Sequence, residues 1–176
     1  AAPYNYQLHL DLTLNGAGGY SLTVPITLEV RSALQNVSGF VSTSTTWTRD
    51  KVYVVVGNVL VSTGVTLTIE PGTTVRFRSS KAMQGEVNLI ADGTADVPIA
   101  FTSEVSKTHG SWGPIRFAAT AISATVSAEG EYLGGSIIRH AVIEYGTGIA
   151  VLETLPFLEE NYFLSNNSTY AGPWLG

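Results

Sequence analysis

Apolar and polar residues alternate along two stretches near the start of the chain. Within residues 4–14 and again within residues 20–30, every second residue is apolar, and the glycine-rich segment 16–19 lies between them. A period of two is typical of a strand with one buried face, and a short glycine-rich link is typical of a hairpin. The pattern predicts a long β-hairpin over residues 4–31 with one apolar face. Pro25 cannot donate a ladder hydrogen bond, so we expect its strand to be an edge or to carry a bulge there.

A different pattern follows between residues 52 and 77. Short apolar runs rich in β-branched residues are separated by breaks of two to four residues, the first at Gly57-Asn58; the runs are Val52–Val56, Val59–Val61, Val65–Ile69 and Thr74–Phe77. Such short breaks cannot hold a helical crossover, so the chain is predicted to wind as a solenoid coil. Pro71-Gly72 suits a type II turn, since Pro fixes φ and Gly accepts a positive φ. The side chains expected inside the coil are Val65, Leu67, Ile69, Val75 and Phe77.

Several segments carry a family resemblance: Tyr53–Val59, Gly64–Phe77 (GVTLTIEPGTTVRF), Pro98–Ser103 and Trp112–Phe117. Together, residues 39–117 resemble the right-handed parallel β-helix (pectin-lyase-like) repeats of bacterial secreted and cell-surface proteins. The resemblance implies an all-β fold, a short right-handed parallel β-helix with a long N-terminal β-hairpin. It implies no single activity, because the same coil occurs in lyases, adhesins and passive spacers.

The chain is predicted to have three parts. Residues 1–31 are the N-terminal hairpin, residues 32–50 are the connection and the start of the coil, and residues 51–176 are the parallel β-helix. Rungs are expected to repeat roughly every 20–25 residues. Ala118–Gly135 breaks the pattern with small residues, and it is predicted to be a loop that extends from the coil.

Composition excludes several classes of function. Only 13% of the residues are charged, the net charge is -5, and the Lys and Arg residues form no cluster. A nucleic-acid partner or an anionic membrane surface is therefore not expected. No apolar run approaches the ~20 residues that span a bilayer, and a chain without Cys has no disulfide or thiolate metal site. The start Ala1-Ala2-Pro3 resembles a mature N-terminus left by processing, which favours an extracellular or cell-surface protein.

Candidate catalytic groups are few. His140 and Glu144 lie four apart on a predicted strand and so share a face, as an acid–base pair or two metal ligands would, although a solvated polar stripe is the simpler interpretation. The lyases of this fold place several aspartates together for calcium. The acidic residues here are scattered over Asp50, Glu70, Glu86, Asp92, Asp96 and Glu104, so no lyase residue carries over. We predict no enzyme activity and no catalytic, cofactor-binding or metal-binding residue, while oxygen-rich bends leave room for a structural calcium ion.

The tryptophans have two interpretations. Trp47, Trp112 and Trp174 would stack on sugar rings if they were exposed in a row. The favoured interpretation buries Trp112 beneath a bend and places Trp47 and Trp174 at the ends of the coil.

The apolar face of the hairpin leads to the functional prediction. A two-stranded ribbon is marginal by itself, and an apolar face of this size exceeds the few hundred Å² that monomers usually expose. We expect it to bind the open coil end of another copy, head to tail, so that an extracellular filament, fibre or surface layer forms. The predicted assembly interface is Tyr4, Tyr6, Leu8, Leu10, Leu12, Leu14, Tyr20, Leu22, Val24, Ile26, Leu28 and Val30.

Two alternatives stay open. The coil could bind or cleave polysaccharide, which would need a groove lined with exposed aromatic side chains or clustered carboxylates. In the other alternative, residues 1–31 are the tail of a preceding β-sandwich and the chain is a spacer fragment of a large adhesin. The sequence leaves open whether the hairpin packs within its own chain or on a neighbour.

Overall fold

The computed structural model describes residues 6–30, 33–85, 88–167 and 170–171, and these residues are all-β. Among them there is no helix with the length and apolar character needed to cross a membrane. In chain order the strands are β1 (Tyr6–Asn15), β2 (Ser21–Val30), β3 (Ala33–Val41), β4 (Thr45–Trp47), β5 (Lys51–Val61), β6 (Thr66–Ile69), β7 (Thr74–Phe77), β8 (Met83–Gly85), β9 (Asn88–Asp92), β10 (Ile99–Ser103), β11 (Ile115–Phe117), β12 (Thr125–Val126), β13 (Tyr132–Gly134), β14 (Ile137–Arg139), β15 (Ala141–Glu144), β16 (Ile149–Val151), β17 (Phe157–Glu159), β18 (Tyr162–Leu164) and β19 (Tyr170–Ala171).

The contacts divide the chain into two compact units, Ala1–Ala33 and Leu34–Gly176. In the first unit β1 and β2 form an antiparallel two-stranded sheet, in a register that sets Leu12 opposite Val24. Pro25 lies within β2 without a shift of register, as an edge strand allows. The alternating pattern therefore predicted the two strands of this hairpin and its apolar face, and the structure supplies their register.

The second unit is a parallel β-solenoid of about six turns. Each of its complete turns gives one strand to each of three parallel stacks. The first stack is β4, β6, β9, β14 and β17; the second is the first half of β5 with β7, β10, β15 and β18; the third is the second half of β5 with β8, β11, β16 and β19. β3 pairs with β5. A strand in the middle of a stack therefore bonds to the equivalent strands of the turns before and after it.

The register keeps one side of each stack apolar. Trp47 pairs with Ile69 and Ile69 pairs with Ala91, a spacing of 22 residues at each step. The side chains predicted to point into the coil are all buried, namely Val65, Leu67, Ile69, Val75 and Phe77. That prediction is confirmed, and the register has a direct consequence: each buried side chain lies on its equivalent in the next turn, so the core is continuous along the coil.

The break predicted at Gly57-Asn58 is wrong, because β5 runs unbroken from Lys51 to Val61. The strand bends there: Val52–Val55 pair with β7, whereas Val59–Val61 pair with β8. A Cβ on Gly57 would lie 3.0 Å from the Cβ of Ser38 in β3. The missing side chain therefore lets β3 lie against the bend, and pairing on both sides keeps the backbone extended.

Turns and side-chain hydrogen bonds fix the corners between the stacks. Gly72 has a φ of 82°, and Thr73 N donates to Glu70 O at 3.1 Å, which confirms the type II turn predicted at Pro71-Gly72. Asn161 joins its corner to the turn before: its Nδ2 donates to a backbone carbonyl at 2.7 Å and its Oδ1 accepts a backbone N–H at 3.0 Å. Asn166 makes the same pair of bonds one corner further on. Each asparagine thus satisfies two backbone groups that the corner takes out of the strand ladder.

Residues 118–135 leave the coil, as the run of small residues predicts. They carry the antiparallel pair β12 and β13. Tyr132 of this excursion packs on Phe157 with 5.5 Å between ring centroids, and Ile137 on the outer side of the first stack is fully buried. The excursion therefore covers an apolar row on the outside of the first stack.

The inward register predicts the effect of substitutions at Leu67, which is fully buried, and at its neighbour Thr68, which is half-buried on the outer side of β6. Leu67→Asp is expected to abolish folding, because it buries a charge without a partner. Leu67→Ala should lower the free energy of unfolding by about 2–5 kcal/mol. Thermal unfolding followed by circular dichroism measures both, with Thr68→Asp as the control that stays folded. A well-folded Leu67→Asp variant would show that the register is wrong.

Candidate functional site

The hairpin has one apolar face and one polar face. The apolar cross-strand pairs include Leu10 with Ile26, Leu12 with Val24 and Leu14 with Leu22. On the polar face, His9 Nδ1 lies 3.1 Å from Thr27 Oγ1, and the hydroxyls of Thr13 and Thr23 are 3.2 Å apart. Because side chains alternate along a strand, the register of the sheet sorts apolar from polar groups completely in this segment.

The apolar face is open to solvent. Between 39% and 68% of each of its large side chains is exposed at Leu10, Leu12, Leu14, Tyr20, Leu22 and Val24. Ile26 is half-buried. Among the other residues of the predicted assembly interface, Tyr4 lies outside the described residues, and Tyr6, Leu8, Leu28 and Val30 lie in the two strands with side chains outside the description. The described interface residues thus form one exposed apolar strip.

The predicted shared face of His140 and Glu144 is wrong. His140 lies in the corner before β15 with a φ of 47°, so the predicted single strand is two strands with a bend between them. His140 Nδ1 lies 3.0 Å from Glu160 Oε2. Glu144 Oε1 instead accepts a hydrogen bond from Thr102 Oγ1 at 2.6 Å. Each group is therefore engaged with a different turn of the coil.

A charged row crosses the outer side of the first stack. Arg139 Nε and Nη2 donate to the two carboxylate oxygens of Asp92 at 2.8 and 2.9 Å, and Nη1 donates to Glu159 at 3.4 Å. The hydrogen bonds to Asp92 raise the pKa of Arg139 above its ordinary value. An arginine held in this way stays charged and cannot serve as a general base. The row joins three successive turns of the coil.

Glu104 and Glu70 each contact a residue of the preceding turn of the coil. Glu104 lies 3.3 Å from Arg76 Nη1, and Glu70 accepts the backbone N–H of Arg49 at 3.2 Å. Across the part of the chain that the structure describes, no three His, Asp or Glu residues come close enough to hold a metal ion. The contacts of Glu104 and Glu70 therefore join neighbouring turns of the coil.

Two of the tryptophans belong to the core. Trp112 is fully buried, stacks on Phe77 with 4.1 Å between centroids, and donates its Nε1–H to Glu144 O at 2.9 Å. Trp47 is 5% exposed and stacks on Tyr53. The predicted burial of Trp112 is confirmed, and Trp47 lies in β4 at the end of the first stack, as predicted. Both are buried, so neither can stack on a sugar ring. Trp174 lies outside the described residues.

Sequence reasoning missed a polar cavity at a corner of the coil. Seven residues of the segment 103–111, here called the serine loop, line a half-open cavity of about 270 Å³ together with Ser79. The signal was present as a run of hydroxyl residues at Ser103, Ser106, Thr108 and Ser111. In a chain this rich in Ser and Thr, such a run does not stand out until the fold brings the hydroxyls together.

Comparison with known proteins identifies one family. The profile described as a pectate-lyase like beta helix domain matches residues 39–139. No curated protein and no solved structure matches the chain. The matched segment begins in β3 and ends with β14, so it covers most of the coil and none of the hairpin.

The bidentate geometry of Arg139 predicts that lysine cannot replace it. Arg139→Lys should lower the free energy of unfolding by about 0.5–1.5 kcal/mol, because one ammonium group cannot keep both bonds to Asp92 and the bond to Glu159. Arg116→Lys is the matched control, since Arg116 is exposed on β11, and it should change stability by less than about 0.5 kcal/mol. Urea titration of both variants measures the difference. Equal stabilities of Arg139→Lys and the wild type would show that the bidentate geometry of Arg139 contributes nothing to stability.

Proposed function

The chain belongs to the pectate-lyase-like β-helix domain family, and on that premise we propose that it is an extracellular structural protein that assembles with copies of itself through its hairpin. Family membership supports the coil and does not select an activity, because function on a shared fold depends on the sites it carries. The observation that carries the proposal is the exposed apolar strip on the hairpin, which lies outside the matched segment.

The size of the strip supports docking on another surface. Its six large side chains are about half exposed, so covering them would contribute on the order of 5–9 kcal/mol before costs, taking ~1.5–3 kcal/mol for a fully buried side chain. Association itself costs about 4–15 kcal/mol. The two magnitudes are similar, so assembly should depend on protein concentration and weaken sharply when one side chain of the strip becomes charged.

The acceptor in this proposal is the end of the coil. β17 and β18 lie at the ends of their sheets in the described residues, with Tyr162 and Leu164 exposed. An edge strand presents unpaired backbone groups that pair with an incoming strand. A contact between the hairpin of one copy and the coil end of the next joins two different surfaces, and such contacts build filaments unless they close into a ring.

The proposal includes no catalysis. Arg139, a basic group beside a carboxylate, is held in a bidentate ion pair, and Glu144 is bound to a neighbouring turn. The rival role as a spacer in an adhesin also needs no catalytic group. The two roles differ in the hairpin, which a spacer would use to join a preceding domain of its own chain.

Charge placed on one face of the hairpin tests assembly. Leu12→Asp should reduce the apparent molecular mass of the full chain to that of a monomer, because it places a charge in a dry contact. Thr13→Asp, the adjacent position on the polar face of the same strand, should leave assembly unchanged. Light scattering across a range of protein concentrations measures both variants, with circular dichroism to establish that each is folded. A wild-type chain that stays monomeric at every concentration would contradict the proposal.

A separate experiment tests the expectation that the chain has no lyase activity. We expect the full chain to release no unsaturated product from pectin, polygalacturonate or alginate, with or without added calcium, because the described acidic residues form no clustered site. Ultraviolet absorbance of the product measures this. Product formation that disappears in a variant of one acidic residue, such as Glu144→Gln, would establish an enzyme.

A further inference from the structure

The cavity at the serine loop is lined by six polar residues without a carboxylate, ammonium or guanidinium group, and by Val105 and Gly110. Its volume is about 270 Å³, and its polar lining consists of Ser79, Ser103, Ser106, Thr108, His109 and Ser111. Among the described residues that line it, no Asp, Glu, Lys or Arg is present. The volume is slightly below that of the pockets that hold drug-sized ligands, so it suits a single small ring or a short polyol.

Neighbouring turns of the coil hold the loop in place. Ser111 N donates to Tyr145 O at 2.8 Å in the following turn, and Ser111 O accepts from Ser80 N at 3.0 Å in the preceding turn. At the start of the loop, Ser103 Oγ accepts the backbone N–H groups of Val105 and Ser106 at 3.3 and 3.1 Å. The cavity wall is thus fixed at both ends before any ligand arrives, which lowers the entropic cost of binding.

The hydroxyl protons of the loop have a single consistent order. Ser111 Oγ donates to the Thr108 carbonyl at 2.7 Å, which uses its one proton. Thr108 must then donate to Ser111 Oγ at 3.0 Å, and Ser106 must donate to Thr108 Oγ1 at 3.0 Å. Each hydroxyl has one proton and two lone pairs. Ser106 Oγ is therefore the acceptor end of an ordered chain, and a ligand there has to bring a donor.

His109 adds a second acceptor. Its Nδ1 lies 3.4 Å from the backbone oxygen of Asn166. A carbonyl oxygen only accepts, so Nδ1 carries the proton in this contact, and the neutral ring presents Nε2 as a bare acceptor. Ser103 provides a hydrogen-bond donor. Its oxygen accepts two backbone N–H groups, and no partner of its hydroxyl proton is found among the described residues.

We propose that this cavity binds a neutral polyhydroxylated molecule, one sugar unit or a polyol of that size. A sugar hydroxyl donates and accepts at the same oxygen, which matches acceptors at Ser106 and His109 beside a donor at Ser103. An anion would face the acceptor end of the chain, and a cation would find no carboxylate in the lining. All residues that line the cavity belong to the second unit, so this proposal does not rest on the proposed assembly.

Saturation-transfer difference NMR tests the site with the full chain, since it observes the sugar whether the protein is monomeric or assembled. The neutral probes are glucose, galactose and mannose at millimolar concentration. The charged probes are galacturonate, which is observed directly, and inorganic phosphate, which has no carbon-bound proton and is measured as a competitor of the bound sugar. We expect saturation transfer to at least one neutral sugar and at least tenfold weaker binding of both charged probes. A tetrasaccharide of the bound sugar then distinguishes the end of a glycan from a free sugar, by binding at least as tightly or not at all. No transfer to any neutral sugar, or tighter binding of a charged probe, would overturn the proposal.

Variants locate the binding. Ser106→Ala removes the acceptor and keeps the bond between Thr108 and Ser111, and it should weaken sugar binding at least tenfold. Ser42→Ala, an exposed serine before β4, is the matched control and should bind as wild type does. Leu12→Asp should also bind normally, so failure of the assembly proposal and failure of this one are distinguishable. Unchanged binding in a folded Ser106→Ala variant would contradict the assignment.

Discussion

The backbone N–H and C=O groups of each strand in this coil bond to the equivalent strands one turn away. This need for partners in the neighbouring turns governs the rest of the structure. Because the pairing is parallel and in register, the side chain at each position lies on its equivalent in the next turn, as Trp47, Ile69 and Ala91 do. An apolar residue at an inward position is therefore needed in every turn. Strand lengths are equally constrained, so additional chain can enter only at corners, and both large insertions, residues 104–111 and residues 118–135, lie there.

The corners therefore hold the features that differ from one turn of the coil to the next. On the outer side of the stacks, ion pairs such as the one between Arg139 and Asp92 join successive turns. The charged groups of such a pair are bonded to each other. At the corners, left-handed residues such as His140 and asparagines such as Asn161 turn the chain and bond back to the previous turn. Backbone hydrogen bonds between Ser111 and the neighbouring turns, at Ser80 and Tyr145, hold the serine loop and its cavity. The rigidity of the coil thus fixes the wall of the cavity.

The hairpin obeys a different rule. Its two strands pair with each other in a separate antiparallel sheet, and its apolar strip is exposed. Burial of an apolar face stabilises the coil, whereas the apolar strip of this sheet remains exposed. That contrast is why assembly is attributed to the hairpin and small-molecule binding to the coil, and why the two roles can be separated by single substitutions.

The sequence by itself determined the strands and their faces, because alternation of apolar and polar residues shows which side chains lie on the same side of a strand. Leu67, Ile69 and Phe77 are inside as predicted, and the apolar face of the hairpin follows from alternation. Tertiary structure decided what local pattern does not encode. It kept β5 continuous through Gly57, because strands on both sides hold it extended, and it separated His140 from Glu144 by a left-handed corner. It also assembled the cavity from Ser79 and a loop more than twenty residues later, a proximity that depends on how many residues each turn of the coil contains.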